Sequence, residues 1–195
     1  MADRRIKIKK EDAIVVGIDF QDRLMPAMMN RAQVEEATVK LIKGCRILDV
    51  PIIITQQYTK GLGPTVPSIL DALINPIGEE VPACQFEHIE KTSFSAMDEP
   101  TFVDALEKSG KKTVIIAGVE SHVCVMQTVL DLLEKGYHVF VVKDCISSRK
   151  EMDYETSQIR MADSGAIITT YEAVLFELLK GAKQPGFKQI SALVK

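Results

Sequence analysis

No apolar run in the chain approaches the roughly 18 residues that span a bilayer. The N-terminus carries no apolar segment behind its first charges and no small-residue cleavage pattern, so no secretory leader is read there. A cytosolic protein without a membrane role is the expectation. Cysteine is sparse and scattered. Cys45, Cys84, Cys124 and Cys145 lie too far apart in sequence for a zinc motif. A cytosolic chain keeps them reduced. Positive charge is not in surplus either. The 24 Lys and Arg residues face 27 Asp and Glu residues, for a net charge of -3. That balance gives no electrostatic reason to expect nucleic acid as a partner. The basic stretch from Arg4 to Lys10 is a local exception and reads as a solvated arm or edge strand. There is no internal repeat, linker or shift in composition, so residues 1–195 read as one domain.

What is present is core-forming material. Hydrophobic residues make up 46% of the chain and charged residues 26%, which argues against disorder. The pattern alternates strand with helix. Ala13–Ile18 is a short β-rich run, and residues 32–48 carry Val34, Ala37, Leu41, Cys45 and Leu48 near one helical face. Pro51 introduces a second strand over Ile52–Thr55. Residues 58–83, rich in Gly and Pro, read as a long irregular insert with a short helix near Ile69–Leu73. A weak third strand is expected over Gln85–Ile89, then a helix over Phe102–Lys108 ending near Gly110. Thr113–Val119 is the fourth strand. Val123–Lys135 follows as a helix, with Gly136 just past its end. The remainder reads as strand His138–Lys143, helix Tyr154–Asp163, strand Ala166–Thr170 and helix Ala173–Lys180, with Gly165 and Gly181 as stops. The tail from Pro185 packs on a neighbour or frays. Six near-continuous apolar strands between helices predict an α/β fold: a doubly wound, mostly parallel six-stranded sheet in a three-layer sandwich.

In such a sheet, ligands gather outside the carboxyl ends of the strands. Three chemically active residues fall at predicted strand ends there: Asp19, Lys91 and Cys124. Cys124 follows the fourth strand where a helical pattern begins. Helix N–H groups around the sulfur are expected to lower its pKa and make a nucleophile. An acid, a base and a thiol at one sheet edge suggest hydrolytic chemistry. Cys45 and Cys145 read instead as small buried hydrophobes, one in a helix and one at a strand end.

Four segments carry a family resemblance: Gly17-Ile18-Asp19-Phe20-Gln21, Lys91-Thr92-Ser93-Phe94-Ser95, Ala117 through Val125, and Lys143 through Arg149. In this order, over about residues 11–180, the chain resembles the isochorismatase-like cysteine hydrolase superfamily, and within it the branch of isochorismatase domain-containing proteins. The resemblance implies that Asp19 acts as general base toward Cys124 and then as general acid toward the leaving group. It implies that Lys91 holds Asp19 ionised and supports the thiolate by charge. It implies a cis peptide between Val119 and Glu120, with the N–H groups of Glu120 and Cys124 forming an oxyanion hole. A thioester intermediate would then be released by water.

Phe20, Gln21, Gln56, Tyr58, Phe94 and His122 lie near the same edge and are candidates for the wall of a small-molecule pocket. His122 is read as a substrate contact or loop anchor rather than the base, because Asp19 already supplies one. Nicotinamidases of the superfamily bind a metal through an Asp and histidines after the second strand. Here that region reads Thr55-Gln56-Gln57-Tyr58-Thr59-Lys60, and His88, His122 and His138 are dispersed. Neither a metal nor another cofactor is expected. The retained Cys124 favours an amide, carbamoyl or ester substrate. The alternatives are vinyl-ether hydrolysis of the isochorismatase type, which does not need the thiol, and a non-catalytic interaction module that keeps the pocket. Hydrolases resembling this one usually assemble, so a homo-oligomer is expected.

Overall fold

The computed structural model describes residues 6–83 and 88–195. Its centre is a six-stranded, all-parallel sheet with strand order β3-β2-β1-β4-β5-β6. The strands are β1 (Ala13–Ile18), β2 (Ile52–Gln57), β3 (Ile89–Lys91), β4 (Thr113–Val119), β5 (His138–Ser147) and β6 (Ile167–Thr169). The helices are α1 (Arg31–Ile47), α2 (Thr59–Leu62), α3 (Pro67–Ile74), α4 (Pro100–Ser109), α5 (Met126–Glu134), α6 (Glu151–Asp163), α7 (Tyr171–Leu179) and α8 (Phe187–Leu193).

The apolar runs explain the layers. Every residue of β1 and β4 is buried, as expected for strands covered on both faces. Because side chains alternate along a strand, the sheet feeds two separate cores. Ala13, Val15, Ile115, Ala117 and Val119 join Val34, Leu41 and Cys45 of α1, Ile69 of α3, Leu175 of α7 and Ile190 of α8. Ile14, Val16, Ile18, Val114 and Ile116 join Phe102 and Leu106 of α4, Val129 and Leu132 of α5, and Met161 of α6. Burying each large aliphatic side chain contributes about 1.5–3 kcal/mol. β1 and β4 are adjacent although they are first and fourth in sequence. The chain therefore winds outward in both directions from this pair, the switch point at whose carboxyl ends such sheets bind ligands.

Several boundaries differ from the sequence reading. β3 is only three residues long and ends on Lys91, whereas the expected strand ended at Ile89. The expected strand over Gln85–Ile89 falls partly on residues 84–87, which lie outside the described residues, as does Cys84. Residues 58–83 contain two short helices, α2 and α3, so the stretch is more ordered than a turn-rich composition suggests. The helix expected from Val123 begins with a wide π-type turn over Ser121–Val125 and becomes α-helical at Met126. β5 continues to Ser147, so the buried Cys145 lies inside a strand and not at its end. The register of β4 against β5 shifts between Ile116 and Gly118, which accommodates that extension. The tail does not fray. α8 buries Ile190 completely, and Phe187 and Leu193 pack against the same core.

Candidate active site

Asp19 follows β1 directly, in the left-handed backbone region with φ 55°. An aspartate tolerates that region better than most residues, because its short polar side chain bonds locally. The turn lifts the carboxylate over the sheet edge, and the Asp19 N–H donates to the Thr55 carbonyl at 3.2 Å. Each carboxylate oxygen has its own donor. The Thr55 hydroxyl donates to Oδ1 at 2.7 Å, and the Lys91 ammonium donates to Oδ2 at 2.7 Å. The Asp19 and Lys91 side chains are both fully buried. A buried carboxylate and ammonium tolerate this only when paired and hydrogen-bonded, as they are here. Lys91 Nζ also donates to Gln57 Oε1 at 2.6 Å and approaches the carbonyls of Ser93 and Phe94, each at 3.1 Å.

Cys124 completes the set. It is 6% exposed on the π-type turn. Asp19 and Lys91 lie close enough to its sulfur for their charges to bear on it. Burial pushes the thiol up to about 12, the Asp19 carboxylate pushes the same way, and the Lys91 ammonium opposes them. The expectation of a lowered thiol pKa is thus reversed. A helix N-terminus typically stabilises an anion by only about 0.3–1 kcal/mol, whereas desolvation of a buried group shifts pKa by units. Thr128 secures the turn by donating to the Cys124 carbonyl at 2.7 Å, while its hydroxyl accepts from the N–H of Ala96 at 2.9 Å. The segment after β3 and the cysteine turn are thereby tied together.

The peptide bond between Val119 and Glu120 is cis. The N–H groups of Val123 and Val125 donate to the Glu120 carbonyl at 3.1 and 3.2 Å. The Glu120 carboxylate is not free for a substrate. It accepts from Arg149 Nε at 2.9 and 3.1 Å and from the Arg149 N–H at 3.1 Å. His122 Nδ1 lies 3.0 Å from the Ser148 hydroxyl, and Nε2 lies 3.8 Å from Asp153. Its ring is engaged with the segment after β5 and with α6, which fits a loop anchor.

The other pocket candidates divide. Phe20 is wholly buried in the apolar core. Gln21 is spent on the backbone. It donates to the carbonyls of Gln57 and Gly63 at 3.0 and 2.7 Å and accepts from the Gln57 N–H at 2.7 Å. Gln56 donates to Thr65 and accepts from Thr59, each at 2.9 Å, and so ties down the segment after β2. Tyr58 and Phe94 remain exposed beside Lys91, at 51% and 55%, joined to it by backbone contacts. Sequence reasoning missed Thr55 and Gln57 as site residues. The available signal was two polar side chains at alternate positions where an apolar strand ends. Among the described residues, no three His, Cys, Asp or Glu side chains come together as a metal site. Among them, too, no helix is long and apolar enough to cross a membrane.

Comparisons with known proteins show the family and the fold of the chain. The isochorismatase domain model matches residues 13–173. Isochorismatase domain-containing protein 2A of Mus musculus is 34% identical over 190 residues, covering 97% of this chain and 85% of the relative. Among solved structures, MAR1 ribonuclease from Caenorhabditis elegans superposes with TM-score 0.86 at 36% identity, covering 96% of this chain and 92% of that one. YcaC from Pseudomonas aeruginosa, solved with hexane-2,5-diol and covalent acrylamide, gives 0.85 at 27% identity, with 97% and 90% covered. The YcaC gene product from Escherichia coli, an octameric hydrolase of unknown specificity, gives 0.81 at 28%, with 92% and 85% covered. With its six-stranded parallel sheet and a family match across most of its length, the chain belongs to the isochorismatase domain family.

Proposed function

We propose that the protein is a cysteine hydrolase that cleaves a small amide, carbamoyl or ester substrate without a metal. The observation that carries this reading is the buried Asp19–Lys91 pair, at 2.7 Å, acting on the thiol of Cys124. A thiol pushed up by burial needs a base to lose its proton, and Asp19 stands beside it. In the proposed reaction the Cys124 proton passes to Asp19 as sulfur attacks the substrate carbonyl carbon. The tetrahedral oxyanion is received by the backbone N–H groups of Glu120 and Cys124. Collapse of the intermediate breaks the bond to the leaving group, which takes the proton from Asp19. A thioester on Cys124 remains. Asp19 then accepts a proton from water, the resulting hydroxide attacks the thioester, and the acid leaves as the thiolate takes the proton back. Lys91 supplies a fixed positive charge throughout.

The metal-free reading rests on the carboxyl end of β2. Thr55, Gln56 and Gln57 all have other partners, and none is a histidine or carboxylate. The covalent acrylamide in the Pseudomonas relative supports electrophile chemistry in this family. The Caenorhabditis relative bears the name ribonuclease. The net charge of -3 of this chain favours a small substrate over a polyanion. We further propose a single cytoplasmic domain that assembles with copies of itself. The octameric Escherichia coli relative supports assembly, as do the exposed Met152 and Ile159, seven residues apart on α6.

The test is a panel of small amides, carbamoyl compounds and esters, with isochorismate included, run on wild type and Cys124→Ala. Turnover of an acyl substrate by wild type and none by the variant is expected. Equal turnover of isochorismate by both proteins selects the vinyl-ether reading instead. No turnover of any compound, with a stable protein complex recovered, selects the non-catalytic module.

A further inference from the structure

We propose that Gln57 is a positioning residue of this site: its neutral side chain holds the Lys91 ammonium in place over the end of β2 without cancelling its charge. The inference deepens the cysteine-hydrolase reading and rests on it. Lys91 ends the edge strand β3 and Asp19 follows β1, so β2 runs between them. The lysine side chain must cross the end of β2 to reach the carboxylate. At that crossing stands Gln57, the register partner of Lys91.

The Gln57 amide has one workable orientation. Its Oε1 accepts from Lys91 Nζ at 2.6 Å, and its Nε2 donates to the Thr92 carbonyl at 2.7 Å. Turned over, the amide would set an NH2 group against an ammonium and a carbonyl against a carbonyl. Its backbone is fixed as well, since both its N–H and its C=O bond to the Gln21 side chain, at 2.7 and 3.0 Å. Four oxygens among the described residues lie within bonding distance of Lys91 Nζ: those of Asp19, Gln57, Ser93 and Phe94. Only the Asp19 oxygen is charged. The ammonium thus keeps its field for the developing thiolate. A second carboxylate at position 57 would compete with sulfur for that field. Thr55, two residues earlier on the same face of β2, holds Asp19 in the same manner. β2 supplies no reacting atom but orients both charged partners.

The experiment is alkylation by acrylamide, read at Cys124 by peptide mass spectrometry from pH 6 to 10, for wild type, Gln57→Glu and Gln57→Met. A thermal melt checks each fold. Wild type is expected to label at Cys124 ahead of Cys45 and Cys145. Gln57→Glu keeps an acceptor for Lys91 but adds an anion. It is expected to label roughly tenfold more slowly at pH 8, with the pH profile displaced upward by about one unit. Gln57→Met removes the acceptor without adding charge and is expected to slow labelling by about threefold or more, with a smaller displacement. A merely structural glutamine would lower the melting temperature of both variants and leave the pH profile of the folded protein unmoved. Wild-type labelling rates and an unchanged profile in folded Gln57→Glu, or in Gln57→Met should the first variant not fold, would overturn the proposal. Failure of wild type to label preferentially at Cys124 would instead overturn the nucleophile reading, and this role with it.

Discussion

The Lys91 ammonium lies 2.7 Å from Asp19 Oδ2 although a whole strand separates the strands that carry the two residues. The pair is buried on both sides, so its two charges depend on each other more than surface ions do. Removing one partner leaves the other desolvated and uncompensated. Asp19→Asn and Lys91→Met are each expected to lower unfolding free energy by about 3–5 kcal/mol. The double variant is expected to lose less than the sum. Urea denaturation of the three proteins measures the coupling. Strictly additive losses would contradict it.

Thr55 donates the hydrogen bond that occupies the other oxygen of Asp19. Thr55→Val preserves shape and deletes that donor. It is expected to cost about 1–3 kcal/mol, the usual penalty for stranding a buried acceptor. Thr55→Ser is expected to restore most of the loss in the same denaturation assay. A valine variant as stable as wild type would show that Oδ1 finds another donor.

Gly118 sets the spacing between β1 and β4 near their carboxyl ends. Its φ is 146°, and a methyl group there would lie 2.5 Å from the Ile18 carbonyl oxygen and 2.8 Å from the Ile18 nitrogen. Backbone of a buried strand cannot move aside easily. Gly118→Ala is expected to destabilise the fold by about 3 kcal/mol. Gly110, at the end of α4 with open space around it, serves as control, and Gly110→Ala is expected to cost about 1 kcal/mol. Equal melting shifts for the two variants would count against the close approach.

Alkaline pH is expected to destabilise the protein through its thiols. Burial pushes Cys45 and Cys124 up to about 12, and Cys145 is raised well above the ordinary 9.0. These raised groups stay protonated in the native state while the unfolded chain ionises above about pH 9. The unfolded state then binds fewer protons, so stability falls as pH rises from about 9 toward 12. Each thiol contributes a slope of about 1.4 kcal/mol per pH unit in that window. Below pH 9 they contribute no slope. Denaturation under reducing conditions at pH 8, 9 and 10 reads the effect, and Cys45→Ala is expected to remove one thiol's share. A flat profile would disprove it.

Assembly has a direct measurement. Light scattering is expected to give a mass of several times the 21.6 kDa chain. A value near one chain would refute the homo-oligomer.

Much of this molecule was legible before its structure. The run Ala13–Ile18 defined β1 residue for residue, and Thr113–Val119 defined β4. Both are continuous apolar stretches with one stable solution, burial between two helix layers. Short-range physics was weaker for β3. Only three residues pair there, and pairing with β2 rather than local propensity makes them a strand. The wide turn at Ser121–Val125 was hidden for a related reason. Its residues fit an α-helical pattern, and contact with β4 and α6 chooses the other geometry.

The pattern of residues by itself determined the alternation of elements and the parallel sheet, and it singled out Asp19, Lys91 and Cys124 as candidate chemical groups. Local hydrophobic period and residue chemistry carry that information. The tertiary structure alone decided which side chains bond to Asp19 and Lys91 and how deeply the sulfur is buried. Thr55 and Gln57 bond to Asp19 and Lys91 because strand order put β2 between the two charges. The thiol pKa rose because burial depends on everything packed around an atom, and no stretch of sequence contains its own surroundings.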